Sequence, residues 1–324
     1  ITSLVKNVIA RIEGLSDIIT ASDTRMAFSL SPIQKGHMSK GSNYSGFINH
    51  FDGIISKNRI KNTIADVISN NQLLRCSLVE TNGEKKWCEH EVLKLETIMS
   101  NYLTYVDISM YTESVKTTII NKLSEEILLR TYSNNELLWR MCVLKESDTR
   151  HLIIWGADHL IFDGMSAEII KSQIEQGLKG TTSIETAIPS FKEYVDVLNQ
   201  GPIGISEKEL IEKFHLVKWS ENNRKVMAQP KGNGTLQNNI EIIIPLSDIE
   251  HLDIWWYAFD FVSDILRDYT NTEVIPFVML EYARSYQGKD FYNSVGEFLD
   301  IVPIISEKGN RTSVETAIQL CKDH

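Results

Sequence analysis

Trp155-Gly156-Ala157-Asp158-His159-Leu160-Ile161-Phe162-Asp163-Gly164-Met165-Ser166 is the stretch on which the reading of this chain turns. The apolar run Leu152 to Trp155 leads into it, and a helix-like segment, Ser166 to Leu178, leads out. One histidine, two acids and a glycine fall within seven residues, the densest reactive cluster in the sequence. A histidine at the end of a buried strand is held rigidly yet points into a gap between elements. That suits a general base or a hydrogen-bonding group near neutral pH. Asp163 can orient the histidine or hold the loop through an arginine. Gly164 allows close backbone approach, and Ser166 can cap the following helix. The same residues also suit a purely structural strand end, and their spacing alone does not decide.

Outward from this stretch, the first half of the chain alternates helical and strand periods. Ser31-Pro32 reads as an N-cap followed by proline at the first helical position. Phe47 to Phe51 reads as a strand, and Ile60, Ile64, Ala65, Val67 and Ile68 recur at helical spacing. Leu74 to Val79 reads as a strand entering an Asn82-Gly83 hairpin. Val115 to Leu128 is a long amphipathic helix, Leu138 to Leu144 a strand, and His151 to Ala157 a strand interior to its sheet. Leu4, Val5, Val8, Ile9 and Ile12 place an amphipathic helix at the start, read either as an upstream linker or docking helix or as an ordinary first helix.

Gly and Pro punctuate residues 177–235, which read as a connection with a mobile loop at Ala228 to Thr235. Beyond it come a strand at Asn239 to Ile244, a helix at Trp255 to Tyr269, strands at Val274 to Leu280 and Ile301 to Ile305, and a last helix from Ala317. The domain reading is residues 1–23 as linker or docking helix, 24–180 as an N-terminal lobe, 181–236 as the connection and 237–324 as a C-terminal lobe.

At 324 residues, two packed lobes are expected. No apolar run reaches the ~18 residues needed to span a bilayer, and the first twenty residues do not read as a signal peptide. Net charge −10 disfavours a nucleic-acid partner. Cys76, Cys88, Cys142 and Cys321 show no ligand spacing and read as separate thiols in a reducing cytoplasm. Without an initiator Met, the chain looks excised from something longer.

Asp158-His159-Leu160-Ile161-Phe162-Asp163-Gly164 resembles the HHxxxDG motif of nonribosomal peptide synthetase condensation domains, with Asp158 in the first histidine position. Phe28-x-Leu30-Ser31-x-x-Gln34 is similar to the family's first motif. Leu74-Arg75-Cys76-x-Leu78 is similar to its LRTxF, and Val295-Gly296-Glu297-Phe298-Leu299-Asp300 to its VGxFvN. These stations occur in the family's order from about residue 24 onward.

The resemblance implies an α/β (α+β) fold. It has two chloramphenicol acetyltransferase-like lobes in a V, mixed sheets backed by helices, and an active site in a tunnel between them. It makes His159 the central catalytic residue and Asp163 a structural partner of an arginine, with Arg284 the first candidate and Arg75 the second. The implied reaction is acyl transfer from a carrier-bound thioester to a carrier-bound amine. Phosphopantetheine arms on upstream and downstream carrier proteins would deliver the substrates, with no intrinsic cofactor or metal. No membrane is required. The second lobe is expected to be incomplete, because no DFGWG-like segment follows Asp300.

Asp158-x-x-x-x-Asp163-x-x-Ser166 also satisfies the DxxxxDxxS pattern of heterocyclization domains. Gly296-Glu297-Phe298 is similar to their GDF-like segment. Retention of His159 and Gly164 favours condensation. An ester-forming variant, release onto a soluble nucleophile, and an inactive recruiting platform complete the alternatives. Elsewhere, Trp255, Trp256, Tyr257, Phe259 and Phe261 are expected in a core, Glu207-Lys208 and Glu212-Lys213 on a solvated face, and His90 and His151 in surface or structural roles.

Overall fold

The computed structural model describes Lys6 and residues 27–38, 44–90, 95–134, 136–181, 188–200, 208, 211–212, 215–227 and 251–308. The expected leading helix, the loop at 228–235, the strand at 239–244, Cys321 and the last helix lie outside the described residues. Contacts divide the chain into two units, Ile1–Gly201 with Arg284–Leu299, and Pro202–Ala283 with Asp300–His324. The sequence reading set its boundaries at 180/181 and 236/237.

The first unit is built on two sheets. Strands β1 (Ala27–Ser29), β3 (Cys76–Thr81) and β4 (Glu84–Glu89) form an antiparallel sheet in the order β1-β4-β3. Asn82 and Gly83, with φ of 54° and 78°, make the β3–β4 hairpin turn, as an Asn-Gly pair does when both central residues need left-handed backbone. Strands β2 (Tyr44–Asp52), β5 (Leu103–Asp107), β6 (Trp139–Ser147) and β7 (Arg150–Asp158) form a mixed sheet in the order β2-β7-β6-β5, with only β5 and β6 parallel.

Both faces of the mixed sheet are covered, which is why β7 reads as an unbroken apolar run. Ile153, Trp155 and Ala157 face the larger core, with helices Lys57–Asn70 (α2) and Gly164–Lys179 (α5). Leu152 and Ile154 face the other way, against Ile119, Leu123 and Ile127 of Glu113–Leu128 (α4). Gly156 sits where α4 crosses closest. A Cβ there would come 2.0 Å from the Ile127 carbonyl oxygen, so only glycine admits the helix. Trp139 stacks on Trp155 at 5.2 Å, and Trp155 on Phe47 at 6.0 Å. These rings fill the core directly beneath the strand end that carries the motif.

The shortest elements correct the sequence reading in detail. Leu74 and Arg75 belong to a 3-10 turn, Gln72–Arg75, and the strand begins at Cys76. Leu73, Leu74 and Arg75 are buried in succession, with no strand alternation. Arg75 donates to the Ile68 and Ser69 carbonyls at 2.7 and 2.5 Å, serving the open C-terminal end of α2. Helices α1 (Pro32–Met38), α3 (Leu95–Tyr102) and α6 (Phe191–Asn199) complete the unit. Ser190 and Glu193 close a reciprocal capping box on α6.

In the second unit, α7 (Leu216–Met227) packs on β8 (Val274–Tyr282), where Trp219 donates its indole N–H to the Phe277 carbonyl at 2.7 Å. Strand β11 (Leu299–Glu307) pairs with β8. Helix α8 spans His251–Thr270, reaching four residues further toward the N-terminus than the Trp255 to Tyr269 helix expected from the sequence. Phe259 packs on Phe277 at 4.8 Å, but Phe261 is 52% exposed, against expectation. Residues two apart point about 200° from each other on a helix, so the two rings cannot share a buried face. Short strands β9 (Ser285–Tyr286) and β10 (Lys289–Asp290) form a small hairpin in the first unit.

Candidate active site

Strand β7 ends at Asp158, and the chain turns once through a 3-10 segment, His159–Ile161, before Asp163 starts α5. Two groups shape that turn. Asp158 accepts a hydrogen bond from the Leu160 N–H at 2.9 Å, capping the turn it introduces. Gln34 donates to the Leu160 carbonyl at 2.5 Å from across the fold. Gln34 is itself fully buried; its Oε1 accepts from Trp87 Nε1 at 3.1 Å and from the Ser31 N–H at 2.9 Å. Ser31 Oγ returns the favour by accepting from the Gln34 N–H at 3.3 Å. The Ser31-x-x-Gln34 pattern is therefore a capping box whose glutamine also holds the motif turn.

Behind the turn, Asp163 is fully buried and N-caps α5, accepting from the Ser166 N–H at 2.7 Å. The helix begins at Gly164, so Ser166 occupies the third helical position and the capping role open to it falls to Asp163. Asp163 has the extended backbone, φ −108° and ψ 177°, that a cap requires. Arg284, fully buried, donates from Nη2 to both Asp163 oxygens, at 2.6 and 2.8 Å. The Phe298 N–H donates to Asp163 Oδ2 at 3.2 Å.

Ser166 Oγ lies 2.8 Å from Asp163 Oδ1 and 2.9 Å from the Gly296 carbonyl, and accepts from the Gly296 N–H at 3.0 Å. Arg284 Nη1 donates to the Phe291 and Ser294 carbonyls, and the guanidinium lies over the Phe298 ring at 4.3 Å. This latch ties the start of α5 to residues 284–298. Gly296 has no room for a side chain, since a Cβ would meet the Phe191 ring at 2.3 Å.

His159 is half-buried, its side chain 27% accessible, among the buried Asp163, Ser166, Arg284 and Glu297. Its Nδ1 is hydrogen-bonded to Oε2 of Glu297, a fully buried carboxylate. That bond holds the imidazole above its ordinary pKa, since it and the nearby negative charge favour the protonated ring. Burial pushes the Glu297 carboxyl up, against the pull of the same imidazole. Burial also raises Asp158, partly offset by its bond to Leu160. His37 of α1 meets the His159 ring edge-on at 5.3 Å. A cavity of about 180 Å³ opens beside the turn, lined by His37, Lys85, Tyr132, Asp158 and Leu160.

His37, His159 and Glu297 offer ligand atoms within 4.8 Å of one another. The His159–Glu297 hydrogen bond fills the space between two of them. An ion bound to both would have to break it, because ligands about 2 Å from a metal stand about 3 Å or more apart.

Asp158, His159, Asp163, Gly164, Ser166 and Arg284 thus meet around one turn. Arg75 does not join them; it pairs with Glu89 at 2.7 Å. Gly164 takes the first helical position and is not among the glycines with left-handed backbone. His90 is buried and bonded to Ser77 Oγ at 2.9 Å, and His151 is buried with its pKa lowered by burial. The sequence reading quoted Glu297 within motifs but gave it no role. Nothing in the spacing of residues 138 apart signals a contact.

A family model described as the condensation domain matches residues 27–208, more than half of the chain. Comparison with curated protein sequences finds no match. Among solved structures, the condensation domain of chain release from the enacyloxin polyketide synthase aligns at 15% identity and TM-score 0.65, covering 99% of this chain and 67% of that one. The starter condensation domain of rhizomide synthetase RzmA aligns at 11% identity and TM-score 0.65, covering 92% and 72%. The epimerization domain from the third module of tyrocidine synthetase B aligns at 13% identity and TM-score 0.61, covering 92% and 72%. At these identities the likeness is one of fold: mixed α/β, with sheets backed by helices.

Proposed function

The chain belongs to the condensation-domain family, and from that premise we propose that it forms an amide between a donor acyl or peptidyl thioester and a carrier-bound amine. Condensation domains transfer acyl groups. In this reading the acceptor nitrogen attacks the thioester carbonyl, the C–N bond forms, the C–S bond breaks, and the donor arm leaves as a thiol. A thioester is already activated, so holding both arms in place supplies much of the rate. His159 takes the proton the amine loses, or hydrogen-bonds the nucleophile and the tetrahedral intermediate. The substrates arrive on phosphopantetheine arms of an upstream donor and a downstream acceptor carrier protein, in a cytoplasmic peptide or polyketide–peptide megasynthase. No metal or redox cofactor enters the chemistry.

The observation that carries this reading is the contrast at the motif. His159 reaches solvent while Asp163, Ser166, Arg284 and Glu297 around it are buried. A recruiting platform has no use for an accessible imidazole on a turn braced this heavily. Heterocyclization is the second reading, on the pattern Asp158, Asp163 and Ser166. Against it, all three of those side chains are engaged in bracing, Asp158 on Leu160 and the other two in the latch.

Loading donor and acceptor carrier proteins with labelled substrates and following transfer by intact mass spectrometry tests the proposal. Condensed product on the acceptor is expected. A product lighter by one water moves the assignment to heterocyclization, and no transfer with any cognate pair moves it to the platform.

A further inference from the structure

We propose that Glu297 is a positioning residue that fixes His159 with its proton on Nδ1 and leaves Nε2 as the atom that meets the acceptor. The inference rests on the acyl-transfer reading for its purpose, but its geometry stands alone. Glu297 is fully buried on the segment after Arg284, and its Oε2 takes the Nδ1 side of the ring. An ionised carboxylate only accepts, so the hydrogen must sit on Nδ1. A neutral imidazole carries one hydrogen, which leaves the Nε2 lone pair for an incoming proton.

The backbone makes this arrangement stiff at both ends. His159 lies on a turn held by Asp158 and Gln34. Glu297 lies between Gly296 and Phe298, whose N–H groups are bound to Ser166 and Asp163. The latch therefore does more than support α5: it sets where the carboxylate stands relative to the ring.

In the transfer step, Nε2 receives the amine proton as the C–N bond forms. The imidazolium is then stabilised by the Glu297 carboxylate across the Nδ1 hydrogen bond. The same proton passes to the departing sulfur as the C–S bond breaks. The charged and titratable groups around the ring are Glu297, Asp163 and Asp158 on its own side of the fold, and His37 on α1. Three of these are acids. Glu297 is the one bonded to the ring and the largest single influence on its protonation.

The test uses the full chain and its Glu297→Gln variant. Proton–nitrogen correlation spectra of the histidines, assigned by His159→Ala, report tautomer and titration without any substrate. The wild type should show His159 neutral in the Nδ1–H form, titrating above an ordinary histidine. In Glu297→Gln the titration should move to lower pH and the Nδ1–H form should lose its dominance. In the transfer assay the variant should lose about tenfold or more in kcat with KM little changed, and its acidic limb should shift to lower pH. Glu297→Asp should recover part of the titration shift. An unchanged tautomer and titration in Glu297→Gln, with circular dichroism matching the wild type, overturns the proposal. Absence of transfer in the wild type would instead count against the acyl-transfer reading, and the spectra would still decide the role of Glu297.

Discussion

Removing the Asp163 carboxylate should destabilise the first unit far more than an average substitution. Asp163 and Arg284 are both 0% exposed, so neither charge has water to fall back on. Asp163→Ala strips acceptors from the Ser166 and Phe298 N–H groups and from Arg284. It leaves the guanidinium buried beside the Phe291 and Ser294 carbonyls and the Ser166 hydroxyl, with no carboxylate from Asp163 to balance its charge. Breaking one side of a buried pair costs about 3–5 kcal/mol, mostly from the charge left behind. For a domain of this size that is about 6–20 °C in melting temperature.

Urea titration read by hydrogen exchange on β6 and β7 peptides isolates this unit. The control is a cycle with Arg284→Met, which removes the stranded charge. The double variant should be more stable than the sum of the two single losses predicts, by about 2 kcal/mol or more. Additive losses, or a loss below about 1 kcal/mol for Asp163→Ala, would refute the claim that the pair is a latch and not a packing coincidence.

Four further outcomes follow from the same geometry. His159→Ala should lower transfer by about 10²- to 10⁴-fold while the fold persists; undiminished turnover would remove it from the chemistry. Asp158→Asn should stabilise the protein at neutral pH. Burial raises the folded-state pKa of Asp158, so its contribution is fully present below the ordinary carboxylate value and lost as pH rises through the raised one. The gain over wild type should vanish in acid, and thermal melts at several pH values will measure it. Gly156→Ala should cost several kcal/mol or prevent folding, because α4 must withdraw from β7; soluble yield and melting temperature report it. Gln34→Leu removes the partners of Leu160, Trp87 and Ser31 together, and should cost about 2–4 kcal/mol by urea unfolding.

Strand β7 and its neighbours were legible because burial on both faces writes a continuous apolar run, and helices α2 and α4 because their apolar positions repeat at helical spacing. The motif turn was legible as a cluster. Its meaning was not, because a strand-end histidine is chemically ambiguous until something is known to hold it. Arg284 could be named as a partner only through resemblance. Nothing local marks which buried arginine meets which buried acid, and Arg75 turned out to serve the end of α2 instead. Glu297 stayed silent because its neighbours Gly296 and Phe298 carry the readable pattern and its partner is far away in sequence. Asp163, Gly164 and Ser166 all suit a helix start, and only backbone angles distinguish the cap, Asp163, from the third position, Ser166.

The latch also has a consequence in time. Arg284 follows Asp163 by 121 residues, and Glu297 follows His159 by 138. At about 5–20 residues per second, a ribosome completes α5 several seconds before the residues that lock it exist. Until then Asp163 has no cation and His159 no carboxylate, and the growing chain must keep a buried-to-be acid wet. The segment matched by the family model, 27–208, ends before either partner. A fragment cut to that match would carry the motif with its Gln34, Asp158 and Ser166 bonds, but without Arg284 and Glu297. Expressed alone, it should behave as a nascent chain does, prone to aggregation, with Asp163 lacking its arginine and His159 its carboxylate.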